Sequence, residues 1–242
     1  MKRSLFILSL LVVFAMFATA CGSAATQVPA AATEAPAAET EAPAATEAPA
    51  AGPVVLKYAS HANITTWDPI ASFSTEALYM ANMYEQLIRV NPPGSAEQYS
   101  PLLAESWEKS ADGLVWTFKL RSGVKFHDGE PMNAAAVVKS IEAAKDHAGA
   151  SFIWLPLDKV EAVDDTTVKF TLSYAQPLEL ILGSEYAAYI VSPKALDAAA
   201  TNEDYWTAGV DAGTGPYMLE SYTADKEIVL TQNPDYWGGW KP

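Results

Sequence analysis

The sequence predicts a mixed α/β fold that begins about fifty residues into the chain. Asp112-Gly113 divides two apolar runs and residues 164–166 divide two more, which is typical of β-hairpins. Runs after Ser74 and Asn133 carry apolar residues at helical spacing behind a capping residue. Strands and helices are therefore mixed along about 190 residues, enough for one large or two small domains.

The first predicted elements are a strand and a helix. Val54–Ala59 is a strand candidate just after the predicted tether, and we expect it to enter the folded body there. A helix is predicted from Ser74, its N-cap, with one apolar stripe that continues to Ile88. The Asn-Pro-Pro-Gly run at residues 91–94 then breaks the chain.

The remaining elements are predicted by turn and cap chemistry. After the two hairpins and the helix capped by Asn133, Pro177 is expected to start a short helix through Leu182. A last hairpin is predicted over residues 217–231, with its loop at residues 224–226.

Residues 1–20 are predicted to be a secretory signal peptide. Lys2 and Arg3 precede an apolar run over residues 5–17, and small residues then lead to Cys21. The run is short and a polar segment follows it, as in a cleaved leader rather than a membrane-spanning helix. We therefore expect an extracytoplasmic protein.

Cys21 is the only cysteine of the chain. Its setting resembles a bacterial lipobox, which implies cleavage before Cys21 and attachment of diacylglycerol to its sulfur. Two or more acyl chains bury enough CH₂ groups for stable anchoring to the cell membrane. The alternative is ordinary cleavage after Ala20, which would leave Cys21 as an N-terminal thiol.

Residues 21–52 are predicted to be a disordered tether. They contain small residues, Thr, Glu and Pro, with near-repeats at residues 32–37 and 45–50, and neither an aromatic nor a basic residue. Such a segment cannot bury enough apolar surface to offset its ordering entropy. The formal net charge of the whole chain is −14, which argues against nucleic acid as a partner.

Three segments carry the most specific patterns. Residues 213–239 run from Gly-Thr-Gly-Pro-Tyr to Asn-Pro-Asp-Tyr-Trp-Gly-Gly, residues 103–131 hold Leu-Ala-Glu-Ser-Trp, Asp-Gly and Lys-Phe-His-Asp-Gly-Glu-Pro, and residues 83–87 are Met-Tyr-Glu-Gln-Leu. Together they resemble the extracytoplasmic solute-binding proteins of peptide and nickel type ABC importers, family 5. Helical spacing assigns residues 83–87 to packing. Gly213 and Gly215 are expected to adopt backbone angles closed to other residues.

The resemblance implies a two-lobed, periplasmic-binding-protein-like fold of the dipeptide/oligopeptide type, with the ligand between the lobes. Lobe one would comprise residues 53–94 and 196–242, and residues 95–195 would form an inserted subdomain. The second lobe and the C-terminal return would be missing, so we expect an incomplete first lobe with unpaired strand edges. The implied partners are a small solute, a peptide above all, and a membrane permease; no cofactor and no metal are implied.

The resemblance to nickel-type members also suggests three ligand contacts. Trp154 falls where a tryptophan contacts the ligand, Tyr189 falls where an arginine does, and Phe73 lies near a tyrosine contact. Replacement of the arginine disfavours an anionic metal chelate and favours a peptide or another neutral solute. The alternative role of each residue is packing in the core.

No catalytic residue is predicted. His127 and Asp128 are adjacent, but neighbouring strand residues face opposite ways and Asp128-Gly129 is typical of a turn, so we expect a structural role. The three histidines are scattered and no metal-binding motif holds them. The alternative to a binding protein is a secreted, surface-anchored hydrolase whose carboxylates the sequence does not reveal.

Overall fold

A computed structural model describes residues 54–60 and 64–240 of the chain. The chain divides into two compact units, Met1–Leu56 and Lys57–Pro242, and the elements below belong to the second. The predicted leader, Cys21 and the tether lie outside the described residues. In the part that is described, no helix is long and apolar enough to cross a membrane.

The described helices and strands follow one another as α1 (Ala77–Met83), β1 (Ile88–Val90), β2 (Tyr99–Pro101), β3 (Ala104–Lys109), β4 (Val115–Leu120), α2 (Ala134–Asp146), β5 (Leu157–Asp164), β6 (Thr167–Leu172), α3 (Leu178–Leu182), α4 (Pro193–Thr201), β7 (Tyr217–Thr223) and β8 (Glu227–Gln232). Short 3₁₀ turns lie at Ser151–Trp154 and Tyr205–Thr207.

The largest sheet is antiparallel, with strand order β3-β4-β6-β5. Alternate residues of its two central strands face the core, so that Trp116 lies opposite Phe170 and Phe118 lies opposite Val168, all buried. The hairpins β3–β4 and β5–β6 confirm the two predicted from their turns, and Gly113 has the positive φ of 74° that the first turn needs.

Helix α2 covers the apolar face of this sheet, against β5 and β6. It begins as predicted, because the side chain of Asn133 accepts a hydrogen bond of 3.0 Å from the backbone N–H of Ala136. The buried positions Val137 and Ile141 share one side of the helix, which completes the large core cluster of the molecule.

A small core cluster lies beside α1, α4 and the β7–β8 hairpin. Its buried members are Trp67, Met80, Met83, Tyr84, Tyr189, Val191, Ala195 and Ala212. The β7–β8 hairpin confirms the last predicted hairpin, and it forms a separate two-stranded sheet. Helix α4 was not predicted; Pro193 occupies its first turn, where the missing N–H is not needed.

The predicted strand at residues 54–59 is wrong. This segment forms no described strand pairing, and Val54 and Leu56 are 98% and 92% exposed. A strand is stabilised by a hydrogen-bonded neighbour, and none of the pairings among the described residues supplies one here.

The predicted helix from Ser74 to Ile88 is too long at both ends, and the residue at its N-cap is Glu76 instead of Ser74. Helix α1 ends at Met83, and Tyr84 is already extended at φ −115° and ψ 152°. Backbone groups distant in sequence hydrogen-bond the last residue of the helix and a residue that follows it. Gly215 N–H donates to Met83 C=O at 2.8 Å, and Ile190 N–H donates to Glu85 C=O at 2.9 Å. These long-range hydrogen bonds outweigh the helical pattern.

Candidate functional site

The three signature segments include a buried carboxylate and its partners. Glu85 is 3% exposed. One carboxylate oxygen accepts from the hydroxyl of Tyr236 at 2.8 Å. The other accepts from the hydroxyl of Thr214 at 2.8 Å and from the indole N–H of Trp237 at 2.7 Å. Glu85 therefore joins the end of α1 to the two turns that flank the β7–β8 hairpin.

Burial sets the electrostatics of this junction. Loss of hydration raises the pKa of Glu85, and hydrogen bonds from Trp237, Thr214 and Tyr236 offset that rise only in part. Burial, followed by the nearby charge of Glu85, raises the pKa of the Tyr236 phenol. Glu85 thus acts as an acceptor for three donors, not as the simple packing residue predicted from its spacing.

Gly213 and Gly215 serve a different purpose from the one predicted. Neither has a positive φ. A Cβ on Gly213 would lie 1.9 Å from the carbonyl oxygen of Met83, and one on Gly215 would lie 2.6 Å from that of Asn82. The two glycines are needed because the turn packs directly on the backbone at the end of α1.

The side chain of His127 also hydrogen-bonds the turn around Gly213 and Gly215. Its Nδ1 lies 2.6 Å from a carboxylate oxygen of Asp211, and its Nε2 lies 2.9 Å from the carbonyl oxygen of Gly215. Asp128 has a separate partner, since it accepts from the hydroxyl of Ser192 at 2.5 Å. The two neighbours thus face different groups, as expected for adjacent residues with structural roles.

The imidazole of His127 is held in an environment that favours its charged form. Burial lowers its pKa, but the hydrogen bond and charge of Asp211 and the carbonyl of Gly215 outweigh burial, so the pKa lies above the ordinary value. Both ring nitrogens face acceptors, and only the protonated ring donates to both. His127 therefore stabilises the turn best as a cation.

The three predicted solute contacts differ in exposure. Phe73 is 71% exposed, whereas Trp154 and Tyr189 are buried. The indole N–H of Trp154 donates to the carbonyl of Ala187 at 3.0 Å, and the ring of Phe73 lies 5.4 Å from that of Tyr186. All three residues therefore border or belong to the segment 186–189, although Phe73 is on the surface. Their contact with a solute remains a prediction.

Three buried polar atoms have no hydrogen-bond partner among the described residues. They are the Tyr189 hydroxyl, the Trp67 indole N–H and the Ser72 hydroxyl. Burial, followed by the charge of Glu185, raises the pKa of Tyr189. A buried polar group without a hydrogen-bond partner costs free energy unless water or another molecule supplies that partner. No sequence pattern pointed to Ser72.

The described part of the chain contains no candidate metal-binding site. Within residues 54–60 and 64–240, no group of three or more His, Cys, Asp or Glu is placed to hold a metal ion.

Comparison with known proteins reveals relatives that are much longer than this chain. The glutathione-binding protein GsiB of Escherichia coli (strain K12) is 33% identical over 194 residues, which cover 78% of this chain and 36% of that protein. The chain thus spans about a third of the length of this curated relative.

Solved structures agree in fold. The binding protein MoaA from A. tumefaciens R10, in complex with mannopinic acid, matches with a TM-score of 0.65 and 36% identity over 74% of this chain and 36% of that one. The periplasmic binding protein DppA from Helicobacter pylori, in complex with the peptide STSA, matches with a TM-score of 0.62 and 30% identity over 74% and 39%. The predicted two-lobed fold class is confirmed, with this chain covering part of one lobe.

Residues 98–242, more than half of the chain, match the description "Bacterial extracellular solute-binding proteins, family 5 Middle". This match covers the sheet, α2 and two of the three signature segments, and the third, at Glu85, is hydrogen-bonded to one of them. The chain therefore belongs to family 5 of the bacterial extracellular solute-binding proteins.

Proposed function

We propose that the chain is part of a substrate-binding lipoprotein that captures peptides or similar small solutes outside the cytoplasmic membrane and delivers them to the permease of an ABC importer. The observation that carries this proposal is the family 5 match over residues 98–242. The chain spans about a third of the length of its relatives. We therefore assign solute capture to the longer protein that contains this chain, in which both lobes close around the solute.

Peptides are the solute class that fits best. GsiB is named for glutathione binding, and DppA was solved with the peptide STSA. Tyr189 stands where the resemblance expects a ligand-contacting arginine, so a strongly anionic solute would lack its counter-charge. The exposed ring of Phe73 offers an apolar surface without charge.

Direct titration tests this proposal. The two-lobed protein that contains this chain, without residues 1–20, would be titrated with short peptides by calorimetry, and the peptides would be recovered and weighed by mass spectrometry. We expect saturable binding and intact peptide. Cleaved peptide released over multiple turnovers would contradict the proposal and favour the hydrolase alternative.

Phe73→Ala tests the surface contact, because the side chain is 71% exposed and its loss leaves the core intact. Affinity should fall by about tenfold, the scale of a lost aromatic anchor. Leu78→Ala is a matched control: it removes another exposed apolar side chain, 47% exposed, from the neighbouring α1 and should leave affinity unchanged.

The lipid anchor has its own test. If Cys21 carries acyl chains, cells grown with a radiolabelled fatty acid should yield a labelled protein in the membrane fraction. Cys21→Ser should yield an unlabelled protein. Equal labelling of the two would contradict anchoring at Cys21.

A further inference from the structure

A surface groove of 340 Å³ lies between the 3₁₀ turn at Ser151–Trp154 and the segment around α3. Four of its lining side chains, Phe152, Leu155, Tyr174 and Leu180, are 60%, 71%, 50% and 57% exposed. Grouped apolar side chains of this size are rarely left open to water without a role, because covering them is favourable.

The groove is uncharged. None of its lining residues is Asp, Glu, Lys, Arg or His, and the polar ones are Gln176 and Ser184. The hydroxyl of Ser184 already accepts a hydrogen bond of 3.0 Å from the backbone of Tyr186. A charged group that entered would lose hydration without meeting a counter-charge. The lining therefore selects a neutral, apolar occupant.

A row of rings connects the groove to the surface contact predicted from the sequence. The Phe152 ring lies 6.0 Å from that of Tyr186, and the Tyr186 ring lies 5.4 Å from that of Phe73. Trp154, the second predicted contact, belongs to the same 3₁₀ turn as Phe152. The groove is thus continuous with the segment 186–189, which borders all three predicted contacts.

The volume fits part of a small molecule. Sites for entire ligands range from about 300 to 1,000 Å³, so 340 Å³ is at the lower limit. We propose that the groove is the subsite for one bulky, uncharged side chain of the solute, aromatic or long aliphatic. This inference rests on the proposed peptide-binding function and specifies which peptides are preferred.

Two tripeptides that differ in one side chain test the subsite. Ala-Phe-Ala and Ala-Ser-Ala would be titrated into the two-lobed protein that contains this chain, without residues 1–20, and into its variants Phe152→Ala and Leu180→Ala. The parent should bind the Phe peptide at least about tenfold more tightly, and each variant should lose most of that preference. Affinity for the Ser peptide should change little.

Val163→Ala is the matched control, because Val163 is 57% exposed on β5 and does not line the groove. It should preserve the preference. If both groove variants also preserve it, the subsite is wrong while peptide binding stands. If the parent binds neither tripeptide, the proposed function and the subsite both fail.

Direct mapping keeps the inference testable if a variant does not fold. A tripeptide with a central benzoylphenylalanine would be cross-linked to the parent by light, and the adduct would be located by mass spectrometry. An adduct within residues 152–184 supports the subsite. An adduct confined to other residues overturns it.

Discussion

The two core clusters are stabilised by different means. The large cluster lies between the four-stranded sheet and α2, and its strands satisfy one another's backbone groups. The small cluster around Trp67 and Tyr84 is enclosed by short helices, irregular segments and one face of the β7–β8 hairpin. It contains two of the three unpartnered buried polar side-chain atoms found among the described residues.

This difference shows which part of the molecule depends on long-range contacts. In the large cluster, hairpins of neighbouring residues build most of the sheet. In the small cluster, the Tyr84 hydroxyl accepts from the backbone of Ala212, 128 residues away, and Gly215 donates to Met83. We therefore expect the sheet region to supply most of the free energy of unfolding, and the small cluster to respond to changes in shape and protonation.

The strongest test of this comparison is Phe118→Ala. Phe118 is fully buried, with its ring 5.5 Å from that of Phe170 and 6.1 Å from that of Trp107. Its removal leaves a cavity, and the free energy of unfolding should fall by about 4 kcal/mol in guanidinium titrations. The exposed control Val163→Ala should change it by less than about 0.5 kcal/mol. A loss below about 1 kcal/mol for Phe118→Ala would show that the sheet is not the stabilising region.

A smaller loss is expected in the small cluster from Gly213→Ala. The added Cβ would meet the Met83 carbonyl at 1.9 Å, and a backbone group cannot rotate away. We expect a loss of about 3 kcal/mol in the same titration. The control Gly123→Ala has a positive φ of 79° but no atom within 4 Å of the new Cβ, so backbone strain alone should cost about 1 kcal/mol. Equal losses would contradict the close-packing explanation.

The pH dependence of stability should come from His127 and Glu85, which hydrogen-bond the turn at residues 213–215 next to the small cluster. The folded-state pKa of His127 is above its ordinary 6.5, so its contribution is complete below pH 6.5 and is lost as the pH rises through the folded-state value. The folded-state pKa of Glu85 is also raised, so its effect on stability has the same sign. Its contribution is complete below pH 4.5 and is lost as the pH rises through the folded-state value. The melting temperature should therefore fall as the pH rises above 6.5.

Asp211→Asn provides the control for this pH effect. It removes the charge that raises the pKa of His127 but keeps an acceptor near Nδ1. Its melting temperature should vary less over the same pH range. An unchanged slope would assign the pH dependence to other groups.

The smallest effect is expected from Tyr189→Phe, which removes an unpartnered hydroxyl. The free energy of unfolding should stay constant or rise by less than about 1 kcal/mol. Tyr84→Phe, which removes the acceptor for the Ala212 N–H, should lower it by about 1 kcal/mol. A loss of stability in Tyr189→Phe would mean that its hydroxyl has a partner, and a loss of peptide affinity alone would support its predicted role as a solute contact.

The same contrast explains what could be predicted from the sequence. The hairpins at residues 112–113 and 164–166 and the cap at Asn133 were predicted because turn and cap chemistry is local. The end of α1 was not, since hydrogen bonds from residues 190 and 215 decide it. The strand predicted over residues 54–59 was wrong because a strand needs a hydrogen-bonded neighbour, and the pattern of a single segment does not show whether it has one.

The residues of the polar junction fall within segments that the sequence analysis singled out, but their contact with one another was not predicted. The signature segments pointed to residues 83–87, 213–215 and 236–239, yet spacing assigned Glu85 to packing. Glu85 falls beside the predicted apolar stripe and not on it, so the helical pattern gave no sign that this carboxylate is buried and needs donors. Which donors those are depends on residues about 130 to 150 positions away, and only the folded chain identifies them.

The junction at Glu85 also has a consequence for protein engineering. Thr214, Tyr236 and Trp237 each direct a donor at one carboxylate, so these distant parts of the chain form one inseparable unit. A chimera that grafts the region after residue 200 from a homologue would have to inherit matching donors, or transplant the glutamate with them. Recombination breakpoints that split this set should yield less stable hybrids than breakpoints that keep it together.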